Sequence, residues 1–239
     1  VRAVAMETDR VRLATDAGDI TCRAVVGADG GSSIVRRSLV PGHEASHVVG
    51  LQCVVASTPC SAREAVFDFT PIRHGLAGYL WDFPAPGEGR SIGIFVRGGS
   101  REAASYLKGN LERLGVDERA LGPLCGARVR EFDPRARMSC PRVLLVGDAI
   151  GLDPLVGEGI GTGLGCGEVA ARELVVGFSS GDLSFASYRR AVLTDRVGRS
   201  LRGRRLGQRV VTGPGSRFYV GALWPLIVSV GRSQALGPA

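Results

Sequence analysis

Lysine is nearly missing from this 239-residue chain: of 30 basic residues, Lys108 alone is a lysine and the rest are arginine. Nothing physical demands that bias, and it reads as the codon usage of a GC-rich genome. Other scarcities exclude more. No apolar run approaches the roughly 20 residues that span a bilayer, which argues against a transmembrane helix. The six cysteines, Cys22, Cys53, Cys60, Cys125, Cys140 and Cys166, include no pair with the two-residue spacing of zinc or redox motifs. They read as the unpaired thiols of a cytosolic protein. Only three histidines are present. No internal repeat, low-complexity linker or signal-peptide pattern occurs. Nor does Gly-x-Gly-x-x-Gly, the fingerprint of dinucleotide-binding turns, occur anywhere.

What is there is globular: 44% hydrophobic and 22% charged residues suffice for a sizeable core in one large or two small domains. Short strands are expected at Val1–Met6, Val11–Ala14 and Ile20–Ala28, with turn chemistry between them. A helix capped by Ser32 or Ser33 follows, through Leu39. His47–Ala56, Ala65–Phe69, Leu76–Phe83 and Ser91–Val96 read as an antiparallel sheet with one exposed face. Glu102–Leu114 has helical apolar spacing, and Arg128–Phe132 is a further strand. Arg142–Val146 is continuously apolar, as in a strand buried on both faces. Helices are expected at Glu168–Val176 and, as one unbroken segment, Phe185–Val210. The pattern predicts two interleaved domains, the first assembled from both ends of the chain.

Two segments carry the chemistry. In Val25–Arg36 a buried strand ends in Gly27-Ala28-Asp29-Gly30-Gly31 and a helix starts. This is either a plain strand-to-helix turn or a place where bare backbone and free N–H groups approach a phosphate. In Val143–Ile160 a buried strand ends in Gly147-Asp148-Ala149. An acid at that end of a strand is where open α/β sheets place ligand contacts. Glycines then alternate from Gly157 to Gly167. Each costs a helix roughly 1 kcal/mol relative to alanine. The run is therefore either a flexible loop or a helix start pressed against something flat.

Taken together, these segments resemble the second and third FAD signatures of flavoprotein hydroxylases and geranylgeranyl reductases. The first is similar to Gly-Ala-Asp-Gly-x-x-Ser-x-Val-Arg. The second is similar to Gly-Asp-Ala followed by Pro-x-x-Gly-Glu-Gly-Ile, with Ile150 standing where alanine is usual. The segment Tyr79-Leu80-Trp81-Asp82-Phe83-Pro84 resembles the Tyr-x-Trp-x-Phe-Pro motif of the geranylgeranyl reductase branch. The resemblance implies an α/β (α+β overall) fold: an incomplete Rossmann-like FAD-binding domain interleaved with an antiparallel-sheet substrate domain. Residues 1–42 and 139–182 would form the first and 43–138 the second, with 183–239 a C-terminal helical region.

It also implies FAD as cofactor. Gly27, Asp29, Gly30 and Arg36 would lie toward its ribose and diphosphate. Gly147 and Asp148 would lie at the ribityl chain, and Pro154, Gly157, Gly159 and Ile160 along the isoalloxazine ring, where a helix dipole favours negative charge. NAD(P)H is a candidate electron donor. Tyr79 and Trp81 either pack a core or line the substrate cavity. No acid–base residue is assigned. The missing fingerprint and the Val1 start suggest a chain that begins in mid-fold.

The resemblance implies reduction of carbon–carbon double bonds in an isoprenoid or lipid substrate. An aromatic hydroxylase using NAD(P)H and oxygen is the alternative; a non-catalytic remnant or one half of a split protein is another. His43-Glu44-Ala45-Ser46-His47 fits a zinc-protease pattern. It follows Pro41-Gly42 and runs into a valine-rich strand, which leaves little room for the required helix, so no metal is expected. Residues 183–209 hold eight arginines and one acid, Asp195, and so carry the whole +7 of the chain. They read as a solvated face or as a contact for anionic lipid or diphosphate, with no recognised nucleic-acid fold beside them. Phe218–Val230 is too short to span a membrane and reads as core or as a cover at an apolar interface. A cytoplasmic place is expected, with peripheral membrane contact open and the oligomeric state undetermined.

Overall fold

The computed structural model describes residues 1–42, 46–55, 64–86, 89–116 and 122–213. The chain divides into two compact units: residues 1–47 with 129–206, and residues 48–128 with 207–239. Residues 129–138 and 183–206 thus group with the first unit.

The first unit opens with an antiparallel meander of β1 (Ala3–Met6), β2 (Val11–Thr15) and β3 (Gly18–Cys22). A second sheet has the order β10 (Ser139–Cys140), β11 (Val143–Leu145), β4 (Val25–Gly27). Its β11–β4 pairing is parallel, with Leu145 opposite Gly27. Val143, Leu144 and Leu145 are all fully buried, as their uninterrupted apolar run predicts. Helix α1 (Ile34–Leu39) follows β4, and Ser33 Oγ accepts the Arg36 N–H at 2.9 Å, an N-cap.

In the second unit a five-stranded sheet runs in the order β6 (Val66–Asp68), β7 (Ala77–Pro84), β8 (Arg90–Arg97), β5 (His47–Val55), β9 (Cys125–Arg130). The β6–β7, β7–β8 and β8–β5 pairings are antiparallel, as expected. Short helix α2 (Thr70–Arg73) precedes β7, and α3 (Ser100–Arg113) buries Ala103, Leu107 and Leu111, spaced four apart, in a cluster with Leu80, Ile92, Ile94 and Val96. Strand alternation sends Tyr79, Trp81, Phe83 and Phe95 to the opposite side. There Tyr79 meets Phe95 and Phe67 at ring separations of 5.5 and 5.4 Å, and Phe67 meets Phe83 at 4.9 Å.

Gly93 makes room for this aromatic layer. A Cβ there would lie 2.2 Å from the Trp81 ring and 2.4 Å from the Leu51 carbonyl oxygen. Gly93→Ala is expected to cost about 1–3 kcal/mol as overpacking, read as a lower urea midpoint at unchanged slope.

Other expectations are decided or changed. The single strand expected at Ile20–Ala28 is two, β3 and β4, in separate sheets. Of the two readings of the glycine-rich run, helix holds: α4 spans Ile160–Ser180 and ends at Gly181, a left-handed cap with φ +78°. The segment read as one helix is two, α5 (Tyr188–Thr194) and α6 (Arg196–Thr212). Asp195 breaks it, because its extended backbone ends α5 while its Oδ1 accepts the Val197 N–H at 3.2 Å. The arginines here are also more than a solvated face. Arg189 donates to the Pro134 carbonyl, Arg172 on α4 to Asp195, and Arg205 to the Phe132 carbonyl and Asp133.

No helix among the described residues is long and apolar enough to cross a membrane. His43, Glu44 and Ala45 of the zinc-protease pattern, and all of Phe218–Val230, lie outside the described residues.

Candidate functional site

Two turns far apart in sequence meet because β4 and β11 are parallel neighbours. Parallel strands present their carboxyl ends on the same side, so Gly27-Ala28-Asp29-Gly30 and Gly147-Asp148-Ala149 emerge together. The Val146 N–H donates to the Gly27 carbonyl at 3.0 Å, extending the pairing to the start of both turns. From below, buried Tyr188 anchors β11: its hydroxyl donates to the Leu145 carbonyl at 2.7 Å.

In the first turn Gly30 adopts φ +77°. Asp29 does not reach outward. Its Oδ2 accepts the Ile34 and Val35 N–H groups at 2.7 and 3.1 Å, closing the turn onto α1. Partial burial pushes its carboxyl up, but hydrogen bonds from the Ser33 side chain and those backbone groups outweigh it and hold it below the ordinary value. Arg36 is half-buried, and its Nη2 donates to the Gly31 carbonyl at 3.1 Å.

The second turn is a single 3-10 turn, Gly147–Ala149, entered at φ +56° by Gly147. A Cβ on Gly147 would sit 3.5 Å from the Gly163 Cα, so two glycines let α4 pack close to the turn. Asp148 is half-buried and has no hydrogen-bond partner among the described residues. Burial, and then the nearby Glu158 charge, push its carboxyl above the ordinary range. A Cβ on Gly159 would stand 3.0 Å from Asp148 Oδ1, so this glycine leaves the carboxylate uncrowded.

The loop between turn and helix is clamped. Asp153, fully buried, receives Arg204 Nη1 at 2.7 Å and the Leu155 N–H at 2.9 Å. The same Arg204 nitrogen stands 3.8 Å from Glu158, whose other oxygen accepts the Gly161 N–H at 2.5 Å. Pro154 is buried in that loop and Gly157 turns at φ +68°. Ile160 opens α4 with 82% of its surface exposed, so its side chain is available to a ligand rather than spent on the core. Sequence reading missed Asp153 and Arg204. The only trace was an acid beside Pro154 and a run of arginines with no stated partner.

Tyr79 and Trp81 belong to the second unit. Tyr79 is buried and Trp81 half-buried, its Nε1 donating to Ser91 Oγ at 3.3 Å. A separate cleft of about 1060 Å³ in that unit is lined by Asp68, His74, Arg101, Tyr106 and Arg113 among others, and holds none of the expected residues.

No family model matches the sequence. Digeranylgeranylglycerophospholipid reductase 1 of Methanopyrus kandleri is 30% identical over 187 residues, covering 72% of this chain and 48% of the relative. Reductase 2 of the same organism is 28% identical over 196 residues, covering 72% and 46%. The chain therefore spans about half the length of these relatives. Among solved structures, a geranylgeranyl bacteriochlorophyll reductase-like protein from Thermoplasma acidophilum superposes with a TM-score of 0.71 at 20% identity, over 88% of this chain and 57% of that one. CabE, an aromatic hydroxylase from angucycline biosynthesis, superposes with a TM-score of 0.54 at 22% identity, over 97% and 48%.

The fold is that of the reductase-like and hydroxylase structures on which the chain superposes. In sequence the chain is similar to digeranylgeranylglycerophospholipid reductases over about half their length.

Proposed function

We propose that this chain supplies the flavin-facing and substrate-facing parts of an enzyme that reduces carbon–carbon double bonds of an isoprenoid lipid. The observation that carries the reading is the meeting of the Gly27–Gly30 and Gly147–Ala149 turns beside Asp148, which has no hydrogen-bond partner among the described residues. The residues fit FAD. Gly147 and Gly163 let α4 approach the turn, Gly159 leaves the Asp148 carboxylate uncrowded, and Asp148 offers that carboxylate to hydroxyl donors such as those of a ribityl chain. Pro154, Gly157 and Ile160 border the same space, while Gly27, Asp29, Gly30 and Arg36 shape the other turn. Asp29 acts there by holding the turn's conformation. When bound, FAD supplies the hydride chemistry.

The aromatic layer of the middle sheet suits an apolar chain, with Tyr79 and Trp81 as its walls. The names of the Methanopyrus relatives support a geranylgeranyl lipid as substrate. NAD(P)H is the proposed source of electrons. The Arg204–Asp153 clamp holds the loop before α4 in place, keeping Ile160 and Glu158 at fixed positions beside Asp148.

The test uses protein reconstituted with FAD and a chemical reductant without oxygen, given a digeranylgeranyl glycerophospholipid. Bound flavin and a mass gain of two hydrogens per double bond are the expected result. Protein that never retains flavin, or leaves the lipid unchanged, ends the reading. Oxygen consumption with insertion of an oxygen atom into an aromatic compound would favour a hydroxylase instead.

A further inference from the structure

Arg130, the last residue of β9, is only 6% exposed, and its Nε and Nη2 are buried with no hydrogen-bond partner among the described residues. Half-buried Arg36 donates through Nη2 to the Gly31 carbonyl, but its Nε is buried with no such partner. A buried guanidinium with unpaired N–H groups is among the costliest arrangements in a protein, so Arg130, with a second incompletely paired arginine nearby, calls for an explanation. Burial and then the Arg36 charge pull Arg130 below the ordinary guanidinium range, against the opposing pull of Asp133. Burial and then Arg37 do the same to Arg36.

The neighbouring carboxylates are already committed. Asp29 closes the turn onto α1, and Asp133 accepts Arg205 at 3.2 Å and the Arg135 N–H at 2.9 Å. The pair also lies where the two glycine-rich turns come together. Gly31, after which Arg36 follows in α1, rests on β9: a Cβ there would sit 2.7 Å from Val129 Cγ1. The Arg130 carbonyl accepts the Leu152 N–H at 2.9 Å, just beyond Gly147-Asp148.

We propose that Arg36 and Arg130 form an anion site that takes a phosphate or diphosphate group. Two guanidinium forks match several oxygens at once, and a group with two negative charges neutralises both. The phosphate belongs either to FAD or to a second ligand, a phospholipid headgroup. The first assignment rests on the flavin reading proposed above, whereas inorganic diphosphate probes the site without it.

The experiment titrates inorganic diphosphate into the protein and into Arg130→Met, following calorimetric binding and melting temperature. Diphosphate is expected to raise the melting temperature of the parent protein and to bind Arg130→Met at least tenfold more weakly. Ligand-free Arg130→Met is expected to melt higher than the parent, since an unpaired buried charge has gone. Arg36→Gln, judged by the same titration, serves if Arg130→Met does not fold. A tenfold loss of FAD affinity in the variant assigns the phosphate to FAD. Unchanged FAD affinity with lost discrimination between phosphorylated and unphosphorylated prenyl lipids assigns it to the lipid. Diphosphate that fails to bind the parent, or binds parent and variant alike, overturns the proposal. So does a ligand-free Arg130→Met that melts lower, which would mean that Arg130 is paired within the protein.

Discussion

Asp148→Asn is expected to stabilise the cofactor-free protein at neutral pH and, in the same molecule, to weaken FAD binding by about 10- to 100-fold. The two effects share one cause. Burial, and secondarily Glu158, raise the Asp148 carboxyl above the ordinary carboxylate range, so the folded state holds its proton to higher pH than the unfolded chain does. The contribution of Asp148 is then most favourable below the unfolded-state value and is lost as pH rises through the raised folded-state value. Asparagine has no charge to bury and removes that slope. A ligand that donates hydroxyls to the ionised carboxylate offsets the penalty, and a charge-assisted bond of this kind is worth about 1.5–3 kcal/mol. Urea unfolding between pH 4 and 8, with FAD titrated into both proteins, checks both halves. An Asp148→Asn protein that is less stable at neutral pH, or that binds FAD as tightly as its parent, contradicts the assignment.

Asp82→Ala is expected to remove about 3–5 kcal/mol of stability, the usual consequence of stranding one partner of a buried ion pair. Arg90 Nε meets Asp82 Oδ1 at 2.7 Å, and the two side chains are 3% and 10% exposed. Arg90 also donates to the Asp82 and Glu64 carbonyls at 3.0 and 2.7 Å, so its charge is built into the end of the central strand rather than free to reach water. Asp82 sits between Trp81 and Phe83 in β7 but on the opposite face. Its loss disturbs the register of β7 against β8 without touching the aromatic layer directly. Replacing both partners, as in Asp82→Leu with Arg90→Met, is expected to recover most of the loss, because no uncompensated charge then remains. A single variant whose urea midpoint stays near that of the parent would show that the pair carries little.

Local pattern carried much of the architecture. Alternation along Ala77–Pro84 separates Tyr79, Trp81 and Phe83 from Leu80 and Asp82, since strand side chains repeat every two residues. The run Val143–Leu145 shows by its uniform apolarity that both faces of β11 are covered. The same local logic left Gly161–Gly167 open between a loop and a helix start. Intrinsic propensity argues against helix there, yet the close approach of Gly147 and Gly163 makes bare Cα atoms an advantage. It failed at Asp195, whose carboxylate is a good N-cap but lies inside an apolar periodicity that reads straight through it.

By itself, then, the sequence determined most of the elements, their faces and the two Gly-Asp turns, because these follow from periodicity and from backbone geometry at glycine. Tertiary structure alone decided which groups meet. It set β4 beside β11, turned Asp29 inward to α1 while leaving Asp148 without a partner among the described residues, and placed Arg204 on Asp153, 51 positions away. Pairings of that kind depend on chain closure over long separations and on the cost of burying each charge, and neither quantity can be read from a residue's near neighbours.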